Sequence, residues 1–262
     1  MLIAARQART ANRFAPAQTR RTNAQAWLEG LYAPSICLWL DAYRLPQPVG
    51  TAVATAPDAS GRSIAITQAT ASKQPIVAVN AGIKALQYDG VNDCLQTGTL
   101  TLGTQQVSIV AMSRQTSGTA ILAEAGIGTP GTTDTVTHSR GDGTVRNIVG
   151  FYAGNVGLQY KLSTVGYADW VQSAIVCDKA EPAATEMLVF GNNAAPALTV
   201  TTSNNTNTFG NYAWNIGSRN NGTVAPLLGF LSQVIVFCKA LTAEERTQVY
   251  RSVQEICGLG WA

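Results

Sequence analysis

From Ser35 onward the chain breaks into short apolar or β-branched runs separated by turn residues, and a helical period surfaces again only near the C-terminus. Ser35–Leu40 is the first run. It is followed by Ile64–Thr67, Ile76–Val79, Leu86–Tyr88, Val107–Met112, Ile121–Glu124, Ile148–Tyr152, Leu158–Leu162, Trp170–Cys177, Met187–Phe190, Leu198–Thr201, Trp214–Ile216 and Leu231–Phe237. Asp89-Gly90, Asp142-Gly143, Gly191-Asn192-Asn193 and Asn221-Gly222 punctuate them with residues that tolerate left-handed backbone. Many short strands with little helix between them specify an all-β sandwich or jelly roll. Only 13% of the 262 residues are charged, which disfavours a helical bundle and suits one large all-β domain.

Two segments read differently. Thr242-Ala-Glu-Glu245 fits a capping box, and Val249, Val253 and Ile256 then recur as one helical stripe. Near the other end, Asn23 is placed to cap a short helix over Ala24–Glu29, closed by Gly30 and Pro34. Residues 1–28 hold five arginines and no acid, while the rest carries 13 basic and 15 acidic side chains. The positive charge therefore belongs to the N-terminal segment. We divide the chain into a basic docking arm, 1–33, and a sandwich domain, 34–262. Arg6, Arg9, Arg13, Phe14, Arg20, Arg21 and Trp27 are the candidate docking residues. Apolar anchors between arginines favour an acidic protein surface over nucleic acid as the partner.

Five scattered cysteines, Cys37, Cys94, Cys177, Cys238 and Cys257, show no C-x-x-C pair. Three sit in apolar runs, so the set reads as reduced and structural. No apolar run reaches the roughly 20 residues needed to cross a bilayer, and the first residues turn to arginine too soon for a secretory leader.

Several strings in the body resemble the laminin-G-like jelly-roll family of the concanavalin A-like lectin/glucanase group, common among phage structural proteins. They are Leu38-Trp-Leu-Asp-Ala42, Asp58-Ala-Ser-Gly61, Ala65-Ile-Thr-Gln68, Gln74-Pro75, Leu86–Leu95, Ile216-Gly-Ser-Arg219 and Phe230–Arg246. Their order and spacing carry the likeness over residues 35–258; the arm lies outside it. The resemblance implies a concanavalin A-like (laminin-G-like) jelly-roll β-sandwich with an extended basic arm and one C-terminal helix. It further implies a bacteriophage virion protein, mounted by the arm on a symmetric assembly at tail, baseplate or capsid, with the jelly roll outward. The alternative is an adhesin that binds a host surface glycan, with or without calcium.

Catalysis is not expected. The single histidine, His138, lies in a Thr/Ser-rich stretch between expected strands and reads as an ordinary polar side chain. The Glu-x-Asp-x-Glu pattern of glucanases with this general fold is absent, and Glu181 and Glu186 flank Pro182. Gly126-Ile-Gly-Thr-Pro-Gly131 is a glycine-rich turn, since Pro130 and a Thr-rich run follow where a helix would have to start. No cofactor is required. Calcium is the one open case, because such relatives often bind it and Asp89, Asn92 and Asp93, with Asp58, offer oxygen ligands. Turn capping explains the same residues. Tyr152, Tyr160, Tyr167, Trp170 and Tyr212 are candidate sugar-stacking aromatics.

Overall fold

The computed structural model describes residues 17–126, 134–141, 148–154, 157–163, 169–182, 185–195, 198–201 and 207–259. It contains helix α1 (Ala17–Tyr32), sixteen strands and helix α2 (Ala243–Ile256). The strands are β1 (Ile36–Asp41), β2 (Thr55–Ala56), β3 (Ile66–Thr67), β4 (Ile76–Asn80), β5 (Ile83–Asp89), β6 (Leu95–Leu100), β7 (Gln106–Ser117) and β8 (Ala120–Ala125). They continue as β9 (Thr135–Arg140), β10 (Ile148–Gly154), β11 (Gly157–Ser163), β12 (Val171–Asp178), β13 (Met187–Gly191), β14 (Leu198–Thr201), β15 (Tyr212–Ile216) and β16 (Leu228–Phe237).

The strands form two antiparallel sheets. The first runs β13-β12-β7-β16-β5-β4, with β1 also on β16, and the second runs β14-β11-β10-β9-β8-β15-β6-β3-β2. The ten-residue length of β16 gives one of its sides two partners. Its start pairs with β5, Leu228 opposite Asp89, and its end pairs with β1, Phe237 opposite Ile36. Between the sheets lie Leu38, Leu40, Ile109, Ala111, Ile175, Val234 and Val236 of the first, facing Ile66, Leu95, Leu122, Val136, Trp214 and Ile216 of the second.

A third layer covers the back of the first sheet. Trp39, Val110, Met112, Val176, Ile235 and Phe237 pack there against Ala24, Leu28 and Tyr32 of α1 and Val249, Val253 and Ile256 of α2. Alternate residues of β1, β7, β12 and β16 thus feed two cores, which is why these strands read as unbroken apolar runs instead of alternating ones. The Thr242 capping box is present as expected, its hydroxyl accepting from the Glu245 amide and the Glu245 carboxylate from the Thr242 amide.

Four expectations need correction. The N-terminal helix spans Ala17–Tyr32, so Asn23 lies inside it, and it ends two residues before Pro34, not at Gly30. The Ala24-Leu28-Tyr32 stripe buried on the sheet overrides the local cap signal. Strands β2, β6 and β9 were not anticipated, because two-residue Thr-Ala is too short to show a period and Leu-Gln-Thr-Gly-Thr-Leu and Thr-Val-Thr-His-Ser-Arg carry no apolar alternation. His138 therefore sits in a strand, fully buried, and not in a polar connection. Finally, Cys37 and Cys238 form a disulfide with a Cα–Cα separation of 5.8 Å, where reduced thiols were expected. The Ile36–Phe237 pairing places the two cysteines side by side across 201 residues of sequence. Cys94, Cys177 and Cys257 are buried free thiols.

Candidate functional site

The acidic residues of the resemblance strings are spent on the scaffold. Asp58 accepts from the Trp39, Ser60 and Ile64 amides and from the Ser60 hydroxyl, tying the 58–64 loop to β1. Asp41, fully buried, accepts from the Tyr43 amide at 2.9 Å and from the Gln233 side chain at 2.6 Å. Gln233 in turn accepts from the Trp39 indole at 2.9 Å. At the candidate calcium turn, Asp89 accepts from the Val91 and Asn92 amides, and Asp93 accepts from the Asp89 amide at 2.9 Å. Burial raises the Asp93 carboxyl above its ordinary range, with the Asp89 amide opposing the shift. The Asn92 carbonyl abuts Gly222, whose φ of +90° lets the 220–222 loop close on this turn without a Cβ in the way. Among the described residues, no three His, Cys, Asp or Glu side chains cluster as a metal site. Asp89, Asn92 and Asp93 are brought together, the two acids as turn caps and the Asn92 side-chain oxygen buried without a hydrogen-bond partner among the described residues.

His138 faces the space between the sheets. Its strand neighbour Gly150 lies so close to the first sheet that a Cβ there would sit 2.5 Å from the Met187 sulfur. Burial, reinforced by Arg140, pushes the imidazole down to about 3, so the ring is neutral across the physiological range. Neither ring nitrogen has a hydrogen-bond partner. A neutral ring sealed between sheets has no route to a substrate proton.

The outer face of the nine-stranded sheet is organised differently. One line of register partners crosses all nine strands: Thr55 with Thr67, Thr67 with Gln96, Gln96 with Asn215, Asn215 with Glu124 and Glu124 with Thr137. It continues from Thr137 to Phe151, Phe151 to Tyr160 and Tyr160 to Thr201. Two adjacent pairs on the line are hydrogen-bonded through their side chains, Gln96 with Asn215 and Thr137 with Glu124. Gln96 donates to Asn215 at 2.8 Å, Asn215 to the Gly126 carbonyl at 3.1 Å, and Thr137 to Glu124 at 2.8 Å. Thr55 and Thr67 are exposed and Gln96 half-buried, while Asn215, Glu124 and Thr137 are buried. From the loop after β15, Arg219 reaches Glu124 with Nε 2.9 Å from Oε1 and 2.7 Å from Oε2.

The docking candidates divide. Arg6, Arg9, Arg13 and Phe14 lie outside the described residues. Arg20 is half-buried on α1. Arg21 is held by the protein itself, its Nε 2.8 Å from the Ile256 carbonyl and its guanidinium 3.8 Å from the Tyr43 ring centre. Trp27 stands edge-on to Tyr32 at 5.6 Å. Of the candidate stacking aromatics, Tyr167 lies outside the described residues, whereas Tyr152 and Tyr160 belong to β10 and β11. Trp170 donates to Asn80 at 3.1 Å, and Tyr212 is half-buried at the start of β15. Sequence reasoning missed Gln96, Glu124, Asn215 and Thr137 as a group. Arg219 was visible as the end of Ile216-Gly-Ser-Arg219, though not as a site residue.

Among solved structures, the chain is similar to a sialidase of Trypanosoma rangeli in complex with sialic acid, at a TM-score of 0.57 and 14% identity over 85% of this chain and 34% of that one. It is also similar to a botulinum neurotoxin type C structure whose cell entry depends on two ganglioside molecules, at 0.59 and 10% identity over 86% and 53%. A third is the binding domain of botulinum neurotoxin DC in complex with rat synaptotagmin II, at 0.59 and 11% over 85% and 52%. The fold is a lectin-like jelly-roll β-sandwich. This chain spans between a third and about half the length of those proteins. No protein-family profile and no curated protein matches the sequence.

Proposed function

We propose that this chain is a non-catalytic carbohydrate-recognition domain that binds glycan on the outer face of the nine-stranded sheet, over β2, β3, β6 and the Arg219 loop. The observation that carries this reading is the register line of hydroxyls and amides from Thr55 to Thr137. Sugar hydroxyls are both donors and acceptors, and the accessible end of the row, exposed Thr55 and Thr67 with half-buried Gln96, offers both. Gln96 is already bonded to Asn215, so it keeps its geometry when ligand arrives, which limits the ordering cost of binding. Two structural neighbours, a sialidase with bound sialic acid and a neurotoxin whose cell entry depends on gangliosides, favour the same ligand class. Glu124 supports a non-catalytic reading, since Arg219 and Thr137 hold both of its oxygens.

The test is a glycan array probed with the full chain with and without calcium, then with a Thr67→Ala, Gln96→Ala double variant. Reproducible binding that falls at least about tenfold in the variant is expected from the loss of two hydrogen bonds. A blank array, or binding indifferent to the variant, overturns the reading.

The setting we propose is a bacteriophage particle, with the basic segment carrying Arg6, Arg9, Arg13 and Phe14 as its mount on a symmetric assembly. The acid-free charge of residues 1–28 supports it. Removing residues 1–16 then abolishes incorporation into particles without lowering the melting temperature; unimpaired incorporation contradicts it.

A further inference from the structure

The proposed glycan face holds a clamped cation, Arg219. A guanidinium has two forks, one between Nε and Nη2 and one between Nη1 and Nη2. In Arg219 the first fork is committed to Glu124. Among the described residues Nη1 has no hydrogen-bond partner, and the side chain keeps 12% of its surface exposed against 4% for Glu124. The second fork is therefore the one open to a ligand.

That fork is held in place. Glu124 is fixed by Thr137 from the neighbouring strand, and the Arg219 amide bonds the Val224 carbonyl at 2.9 Å. The loop between them is tied down by Gln68, 2.9 Å from the Asn221 side chain, and by Lys73, 2.8 Å from the Asn221 carbonyl. Apart from Glu124, no residue on the line from Thr55 to Thr137 is acidic, so no carboxylate on the line competes for the fork. Because Glu124 balances the charge of Arg219, selectivity for an anion has to come from the planar, two-donor geometry more than from net field.

We propose that the second fork of Arg219 receives the carboxylate of an acidic sugar, so that the glycan class is a uronic- or sialic-acid-containing oligosaccharide with the remainder of the chain lying over Gln96 and Thr67. This rests on the glycan-binding reading above and narrows it.

The experiment presents each acidic oligosaccharide beside its carboxyl-reduced neutral counterpart and a sulfated neutral one, to the full wild-type chain and to Arg219→Lys. Lysine keeps a cation against Glu124 but has no fork, and equal melting temperatures verify that it folds. The proposal expects acidic members to bind about 10–100-fold tighter than their reduced counterparts, with that preference lost in Arg219→Lys. Equal binding of the reduced or sulfated members overturns the carboxylate assignment while leaving glycan binding intact. A preference unchanged in Arg219→Lys overturns the role of Arg219. No glycan bound by the wild type overturns both readings. The paired-ligand comparison on wild-type protein decides the class even if the variant is unstable.

Discussion

At the scale of single residues, the acids of the resemblance strings turn out to organise backbone. Asp58 binds three amides and one hydroxyl, so Asp58→Ala strands those donors and is expected to cost about 2–4 kcal/mol; a urea titration measures it. Asp89 and Asp93 cap their own turn. The melting temperature is accordingly expected to stay unchanged between saturating calcium and chelator, and a rise with calcium would show that the turn opens to ligate it. His138 gives a pH signature. Its folded value of about 3 lies below the ordinary 6.5, so the unfolded chain binds the extra proton between those values. The stability it confers is complete above about pH 6.5 and is lost as pH falls toward 3, by up to roughly 1.4 kcal/mol per unit. His138→Leu should flatten the pH 5–7 portion of the stability profile, and a profile of unchanged slope would contradict the buried neutral ring. The local chemistry of these acids was readable as turn capping. The burial of His138 was not, because β9 alternates Thr, His, Ser and Arg and hides its two-sided burial from any hydropathy pattern.

At the scale of elements, helix α1 belongs to the domain's packing even though its sequence looks like part of an arm. Leu28 is fully buried against the back of the first sheet, and Arg44 and Glu29 pair across the helix–loop contact. Leu28→Ala is expected to destabilise by about 2–5 kcal/mol in chemical denaturation. A truncation starting at residue 34 would bare Trp39, Ile235 and Phe237 on that sheet and aggregate or melt far below the full chain, whereas one starting at residue 17 would not. Comparable melting of the two truncations would show that the helix only rests on the sheet. The start and the buried stripe of the C-terminal helix were legible because capping box and stripe agree; the bounds of α1 were not, because its burial depends on a sheet that starts after it. Likewise β1 and β16 were legible as apolar runs, but a run buried on both faces does not say which partner covers each face.

At the scale of the molecule, a helix pair, a seven-stranded sheet and a nine-stranded sheet stack in three layers, and the proposed glycan face is the one opposite the helices. The Cys37–Cys238 bridge joins β1 to the residue that follows β16, across 201 residues. A loop of that size removes roughly 5 kcal/mol of unfolded-chain entropy. The Cys37→Ser, Cys238→Ser pair should therefore melt well below wild type, and a reductant should lower only the wild-type melting temperature. Equal melting with and without reductant would contradict the bridge. Neither the bridge nor the polar line was visible in sequence, since both join residues that only the strand order makes neighbours.

The most direct measurement of the central claim is hydrogen–deuterium exchange of the full chain with and without a bound oligosaccharide. The account predicts protection over Thr67–Gln68, Gln96, and Asn215–Arg219, with α1 and α2 unchanged. Protection confined to the helix layer, with the nine-stranded sheet unaffected, would contradict it.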